Sequence, residues 1–168
     1  MHFCFSKFTT KLLDDSDEPD VRTIFSATFA RHNDADFTES WHRRNRQSSM
    51  GLFYKATLIG FGIVVPEKTT HRLAFLAVDS NYRGSGAGTQ LLASVLTTLN
   101  YCYLVPVNNL KVIDWYQRHG FIKVAAERLY SPDEAHFIMT YIQSPTDTIS
   151  LPSYGISRES SDLSIISI

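Results

Sequence analysis

The sequence predicts a mixed α/β domain of the α+β kind, and three observations lead there. Short apolar runs of strand character alternate with stretches whose apolar residues recur at helical spacing. The most apolar run, Leu73 to Val78, ends in a turn holding Gly84, Gly86 and Gly88. A helical stripe begins directly after that turn. The 168 residues are the size of one domain and are enough to bury a core without staples.

Each element follows from its own residues. His2 to Thr9 alternates and reads as a first strand. The acidic stretch Asp14 to Asp20 leads to Pro19, which suits a helix start. Val21, Ile24, Phe25, Thr28 and Phe29 then predict a helix over 20–31. A second helix is expected over 38–47, with Phe37 and Trp41 on its apolar side. Strands are expected over 52–56 and 59–65, joined by a turn at Thr57-Leu58 and ended by Pro66. The run 72–78 reads as a strand buried on both faces. Leu91, Leu92, Val95, Leu96 and Leu99 form the stripe of a helix over 90–99, with Asn100 placed to stop it in a left-handed conformation. A strand over 101–107, a helix over 110–119 stopped by Gly120, and closing strands over 121–125 and 136–142 complete the order. Residues 143–168 hold eight serines and two prolines and are expected to be a poorly ordered extension to a domain of residues 1–142.

Composition narrows the function classes. The net charge of −1 gives no global basicity for nucleic acid. Cys4 and Cys102 have no metal-ligand spacing and are too few for a disulfide framework. No metal site is expected. No apolar run approaches the ~18 residues of a membrane span. The start lacks the features of a signal peptide. A soluble cytoplasmic protein, monomeric or homodimeric, is the expectation, without a membrane or nucleic-acid partner.

A glycine turn between a strand and a helix leaves backbone N–H groups free and adds the positive end of a helix dipole, which suits phosphates. Three phosphate loops are possible. The triphosphate loop needs Lys-Ser/Thr after its last glycine, and Thr89 follows Gly88 with no lysine near. The dinucleotide loop needs Gly-x-Gly-x-x-Gly and an acid about 20 residues on. Here the spacing is Gly84-x-Gly86-x-Gly88, and the strand ending near Val107 carries no acid.

Arg83-x-x-Gly86-x-Gly88 resembles the Arg/Gln-x-x-Gly-x-Gly/Ala motif of the GNAT N-acetyltransferase superfamily. A second block, Asn109 to Phe121, is similar to that family's Asn-x-x-Ala-x-x-x-Tyr-x-x-x-Gly-Phe through Asn109, Tyr116, Gly120 and Phe121. One helix and one strand separate the blocks, as in the family. Ser80 and Val112 depart from the pattern. The stretch from Gly88 to Asn109 is short, so the helix after the turn is expected to be short.

The resemblance implies a mostly antiparallel sheet, splayed between its central strands and flanked by about four helices. It implies acetyl-coenzyme A as acetyl donor, with the pyrophosphate on the backbone of Gly84, Ser85, Gly86, Ala87, Gly88 and Thr89 and with Arg83 beside it. The pantetheine arm would pair with Leu76, Ala77 and Val78, where a backbone N–H polarises the thioester carbonyl. Pro106 would lie in the separated strand. Tyr116 would protonate the leaving thiolate. Asn109 would cap its helix and contact the cofactor. His71 is the candidate base, ahead of Glu67 and Asp79. The acceptor groove would be lined by 25–47 and 127–136, with Trp41, His42, Arg43, Arg44 and Arg46 as a basic, aromatic edge.

The function implied is acetyl-coenzyme A-dependent N-acetylation of a primary amine on a small molecule, peptide or protein. The alternative is a non-catalytic acyl-coenzyme A-binding module of the same fold.

Overall fold

The computed structural model describes residues 7–143 except 31, 132 and 133. The tail expected from 143 onward therefore lies, beyond Gln143, outside the described residues.

Strands β1 (Phe8–Leu12), β2 (Met50–Tyr54), β3 (Thr57–Pro66), β4 (His71–Val78), β5 (Tyr101–Leu104), β6 (Ile122–Ser131) and β7 (Glu134–Ile142) form one sheet in the order β1-β2-β3-β4-β5-β7-β6. Every neighbouring pair is antiparallel except β4 and β5, which run parallel. Helices α1 (Glu18–Thr28) and α2 (Asp34–Arg43) cover one face. Helices α3 (Ala87–Leu96) and α4 (Leu110–Arg118) cover the other. The expected mixed, mostly antiparallel sheet with four helices is what forms.

β4 is buried along Arg72–Val78 because both faces carry a helical layer. Leu73, Leu76 and Val78 pack with Leu91, Leu92 and Val95 of α3. Ala74, Phe75 and Ala77 pack with Val21, Ile24 and Phe25 of α1 and with Phe37 and Trp41 of α2. Phe25 centres that layer, with ring centroids 4.9 Å from both Phe37 and Phe75.

Several boundaries differ from the sequence reading. The first strand runs over Phe8–Leu12 rather than 2–9, because Phe8 pairs with Tyr54 and Leu12 with Met50; residues 2–6 of that expectation lie outside the described residues. α2 begins four residues early, since the Asn33 side chain accepts the Asp36 N–H at 2.9 Å and caps it. It ends at Arg43 because Asn45 N–H turns to the carbonyl of Val64 at 2.7 Å. The β2–β3 turn falls at Lys55, which takes a φ of 55°, instead of at Thr57-Leu58. α3 starts at Ala87 and stops before Asn100, which does not adopt a left-handed conformation. Its end is closed by threonine hydroxyls, Thr97 to the Ser94 carbonyl and Thr98 to that of Val95, each at 2.7 Å. β5 ends at Leu104, so Pro106 is buried beyond the strand rather than within it.

Candidate functional site

The parallel contact of β4 with β5 is one residue pair deep, Arg72 with Tyr103. Beyond it the two strands part, giving the expected splay. On its other edge β4 stays paired with β3 from Arg72 to Val78, across a bulge between Leu73 and Phe75.

That pairing decides which backbone groups face the gap. Asp79 N–H donates to the Ile59 carbonyl at 2.8 Å, and the register continues through Val78–Gly60 and Ala77–Phe61. Hydrogen-bonding direction alternates along an antiparallel pair. Ala77 and Phe75 therefore bond toward β3, while Leu76 and Val78 point into the gap. Ala77, expected beside them as a cofactor contact, turns its backbone away.

The glycine turn lies at the open end of β4. Gly84 and Gly86 have φ of 72° and 84°, which an L side chain adopts only with strain. A Cβ built on either meets no atom within 4 Å, so the space beside them is open. Gly86 is the N-cap of α3 and supplies no side-chain cap. The first N–H groups of α3, at Ala87, Gly88 and Thr89, thus have no acceptor within the helix. Gly88 sits inside the first turn with an ordinary φ. The Ser85 hydroxyl donates to the Tyr82 carbonyl within the turn. Arg83 donates Nε–H to the Val78 carbonyl at 3.0 Å.

A cavity of about 380 Å³ opens here, bounded by Val78, Gly84 and Gly86 on one side and by α4 on the other. Arg83, Lys111 and Arg118 line it, and no carboxylate among the described residues does. Three cations and a free helix N-terminus fit a diphosphate. Lys111, Trp115 and Arg118 stand at i, i+4 and i+7 on α4, which puts them on one face. Sequence reasoning passed over them, although that spacing was readable. His119 braces the wall: its Nδ1 bonds the Trp115 carbonyl at 2.7 Å, and its Nε2 meets Thr89 Oγ1 at 3.2 Å.

Asn109 caps α4 by accepting the Lys111 N–H at 2.9 Å. Tyr116, about two turns further on, is fully buried between Trp115 and Phe121. Its hydroxyl has no hydrogen-bond partner. Burial, with the nearby Cys102 thiol adding to it, holds its phenol protonated far above the usual tyrosine range. Tyr116 lines neither the cavity at the glycine turn nor the one beside His71.

His71 stands apart from these residues. It opens β4, five residues or about 16 Å along the strand from Leu76. Asn45 Oδ1 accepts the Gln47 N–H at 2.9 Å, which leaves Nδ2 to donate to His71 Nε2 at 3.1 Å. His71, Glu67 and Tyr101 line a second cavity of about 550 Å³. Asp79 caps the short turn Ser80–Tyr82 through its side chain.

Of the expected basic, aromatic edge, His42, Arg43 and Arg46 are exposed, whereas Trp41 and Arg44 are not. Trp41 is buried in the core. The Arg44 guanidinium stacks 3.8 Å from the Trp41 ring and pairs with Asp15 at 2.6 Å. Arg46 pairs with the same carboxylate at 2.8 Å, and Arg43 pairs with Glu39 at 2.9 Å. Asp15 and Glu39 together offset two of the three arginine charges. Of the other groove stretch expected, the side chains of 129–134 lie outside what is described. No helix among the described residues is long and apolar enough to cross a membrane.

The chain is similar to known proteins in the same terms. It is 28% identical over 137 residues to the uncharacterized N-acetyltransferase YjhQ of Escherichia coli (strain K12), covering 73% of this chain and 74% of that protein. Its fold matches Ard1 from Thermoplasma volcanium with a TM-score of 0.72 at 21% identity, over 83% of this chain and all of the other. It also matches a GNAT family acetyltransferase from Elizabethkingia anophelis with acetyl-CoA bound, with a TM-score of 0.70 at 14% identity, over 82% of this chain and 99% of that one. The acetyltransferase (GNAT) family matches residues 16–121, which span α1 through the glycine turn to the end of the Asn109–Phe121 block. With its splayed sheet and its glycine turn in place, the chain belongs to the acetyltransferase (GNAT) family.

Proposed function

We propose that this protein transfers an acetyl group from acetyl-coenzyme A to a primary amine by direct attack on the thioester. The observation that carries the reading is the meeting of two features at the open end of β4: backbone at Leu76 that neither β3 nor β5 pairs, and a glycine turn faced by Arg83, Lys111 and Arg118. Bound there, the donor supplies an activated acyl group with a thiolate leaving group.

The chain's residues then divide the work. The N–H groups of Ala87, Gly88 and Thr89, with the three cations, hold the diphosphate. The Leu76 N–H faces the gap and is placed to donate to an oxygen that gains charge during transfer. The Tyr116 hydroxyl, kept protonated by burial, is the donor for the departing sulfur. His71 is given no part in proton removal, since its Nε2 is engaged by Asn45. The amine would lose its proton to solvent in the gap.

Titration of the protein with acetyl-coenzyme A, followed by thiol release against a panel of amines, tests the reading. Binding with thiol release on at least one amine is the expected result. Tyr116→Phe should lower kcat by ~10²- to 10⁴-fold with coenzyme affinity unchanged. Binding without thiol release on any amine would support the non-catalytic acyl-coenzyme A module instead.

A further inference from the structure

At the cavity beside the glycine turn, α3 and α4 are joined by one side-chain bond. Thr89, in the first turn of α3, lines the cavity. His119, directly after α4, does not line it but bonds the residue that does. Its Nε2 lies 3.2 Å from Thr89 Oγ1, and its Nδ1 lies 2.7 Å from the Trp115 carbonyl oxygen. Trp115 also lines the cavity, and its ring centroid is 4.2 Å from that of the imidazole.

These two bonds tie the direction of the Thr89 hydroxyl to one proton. A carbonyl oxygen only accepts, so Nδ1 is the donor to Trp115 and carries a hydrogen. In the neutral ring Nε2 is then an acceptor, and the Thr89 hydroxyl gives its single hydrogen to it. In the imidazolium both ring nitrogens donate. Nε2–H then donates to Thr89 Oγ1, and the hydroxyl hydrogen is free to turn toward the cavity.

The charges around this pair decide what favours the second state. Arg83 on the turn and Lys111 and Arg118 on α4 line the cavity. α3, packed against His119 through Thr89, carries no charged residue. β7 brings the Tyr141 ring beside Gly120. Asp114, the one carboxylate of α4, precedes His119 by five residues and so stands on another face of the helix. No ion pair joins His119 to a carboxylate among the described residues. A diphosphate in the cavity supplies the negative charge that these elements lack. It accepts hydrogen bonds and donates none, so it favours an outward-donating Thr89 and a charged His119.

We infer that His119 is a proton-linked positioning residue for the coenzyme: binding of the diphosphate draws one proton from solvent onto His119 Nε2, and the imidazolium turns the Thr89 hydroxyl to donate to a phosphate oxygen. This rests on the acetyl-transfer reading for the identity of the diphosphate. The complex holds more protons than the free protein. Affinity therefore rises as pH falls through the range in which histidine titrates, and it levels off once the free protein is charged as well.

The probe is 3′-dephospho-coenzyme A, which keeps the diphosphate and lacks the phosphate monoester that itself titrates near neutrality. Calorimetric titration of the full chain in HEPES and in Tris at about pH 7 reads proton uptake from the difference in heat between the buffers. The wild type should take up a proton on binding, and its affinity should be about tenfold higher at about pH 5.5 than at about pH 8.5. His119→Gln should abolish the uptake and flatten the profile. Thr89→Val keeps the histidine and removes the hydroxyl through which it acts, so it should reduce both effects, and Thr89→Ser should restore them. A residue that only braced the wall would, when replaced, lower affinity by the same factor at every pH. Binding by the wild type with no buffer dependence and a flat profile overturns the inference and leaves the coenzyme reading standing. So does a pH dependence that survives undiminished in Thr89→Val or in a folded His119→Gln. Absence of binding at every pH overturns the coenzyme reading together with it.

Discussion

Arg83 Nε–H donates to the carbonyl oxygen of Val78 at 3.0 Å, joining the first residue of the glycine turn to the last residue of β4. Val78 is one of the two β4 residues whose backbone faces the gap, so this bond occupies an acceptor that the separated β5 no longer reaches. The turn is fixed to the strand end by its own arginine, whose two terminal nitrogens remain for the cavity.

Arg83→Ala should therefore do more than remove a charge. It unties the turn and strips one of three cations from the cavity. A hydrogen bond from a charged donor is worth about 1.5–3 kcal/mol, so acetyl-coenzyme A should bind about 10- to 100-fold more weakly. Arg83→Lys, which cannot reproduce a guanidinium Nε–H, should recover only part of the loss. Calorimetric titration of both variants decides, and an unchanged affinity in Arg83→Ala would remove the arginine from the site.

Gly86→Ala isolates the conformational requirement of the turn. The added Cβ meets no atom of the chain, so crowding inside the protein costs nothing. The φ of 84° costs about 1–2 kcal/mol for a residue with a Cβ. Urea unfolding should show a loss of that size. The Cβ also projects beside the free N–H groups of α3, so coenzyme affinity should fall at least ~10-fold. Loss of stability with full affinity would move the diphosphate elsewhere.

The buried pair Cys102 and Tyr116 predicts the alkaline limb of stability. Burial pushes the Cys102 thiol from 9.0 up to about 12, and burial with the Cys102 charge pushes the Tyr116 phenol well above 10.0. Both groups are harder to ionise folded than unfolded. The folded chain therefore binds more protons than the unfolded chain above about pH 9. Stability should be unaffected by these groups below that value and should fall as pH rises from about 9 through about 12. The slope should approach about 1.4 kcal/mol per pH unit for each group. Urea midpoints measured at pH 8, 9.5 and 10.5 should drop steeply in the wild type and less in Cys102→Ala and Tyr116→Phe. Equal slopes in all three would contradict the burial of this pair.

Arg44→Ala tests the employment of the basic run in the core. The guanidinium lies over the Trp41 ring and bonds both Asp15 and the Trp41 carbonyl at 2.8 Å. A desolvated contact of a cation with an indole is worth about 2 kcal/mol, and the variant should lose stability on that order. Its acetyl-coenzyme A affinity should stay within about twofold. A stable variant with impaired acceptor turnover would restore the run to the acceptor groove.

The order of elements, the apolar faces and the glycine turn between β4 and α3 were legible in the sequence. Those rest on local patterns: glycines that accept a positive φ without strain, an asparagine that caps the next helix, and apolar periods of two and 3.6. The boundaries it misplaced, such as the start of α2 at Asn33 and the β2–β3 turn at Lys55, are set by a single capping bond and one left-handed residue rather than by periodicity. Three matters were decided only by tertiary structure. Which β4 residues face the gap depends on the bond from Asp79 to Ile59 across the sheet, and it separates Ala77 from its two neighbours. The Arg43–Arg46 run reads as a basic edge until Asp15, 29 residues before Arg44, meets two of its guanidinium groups. The pairing of β4 with β5 sets Arg72 beside Tyr103, and that of β5 with β7 sets Tyr103 beside Thr140, residues far apart in sequence. Local patterns record what a segment can become, whereas ion pairing and cross-strand neighbours depend on distances between segments that the chain closes only on folding.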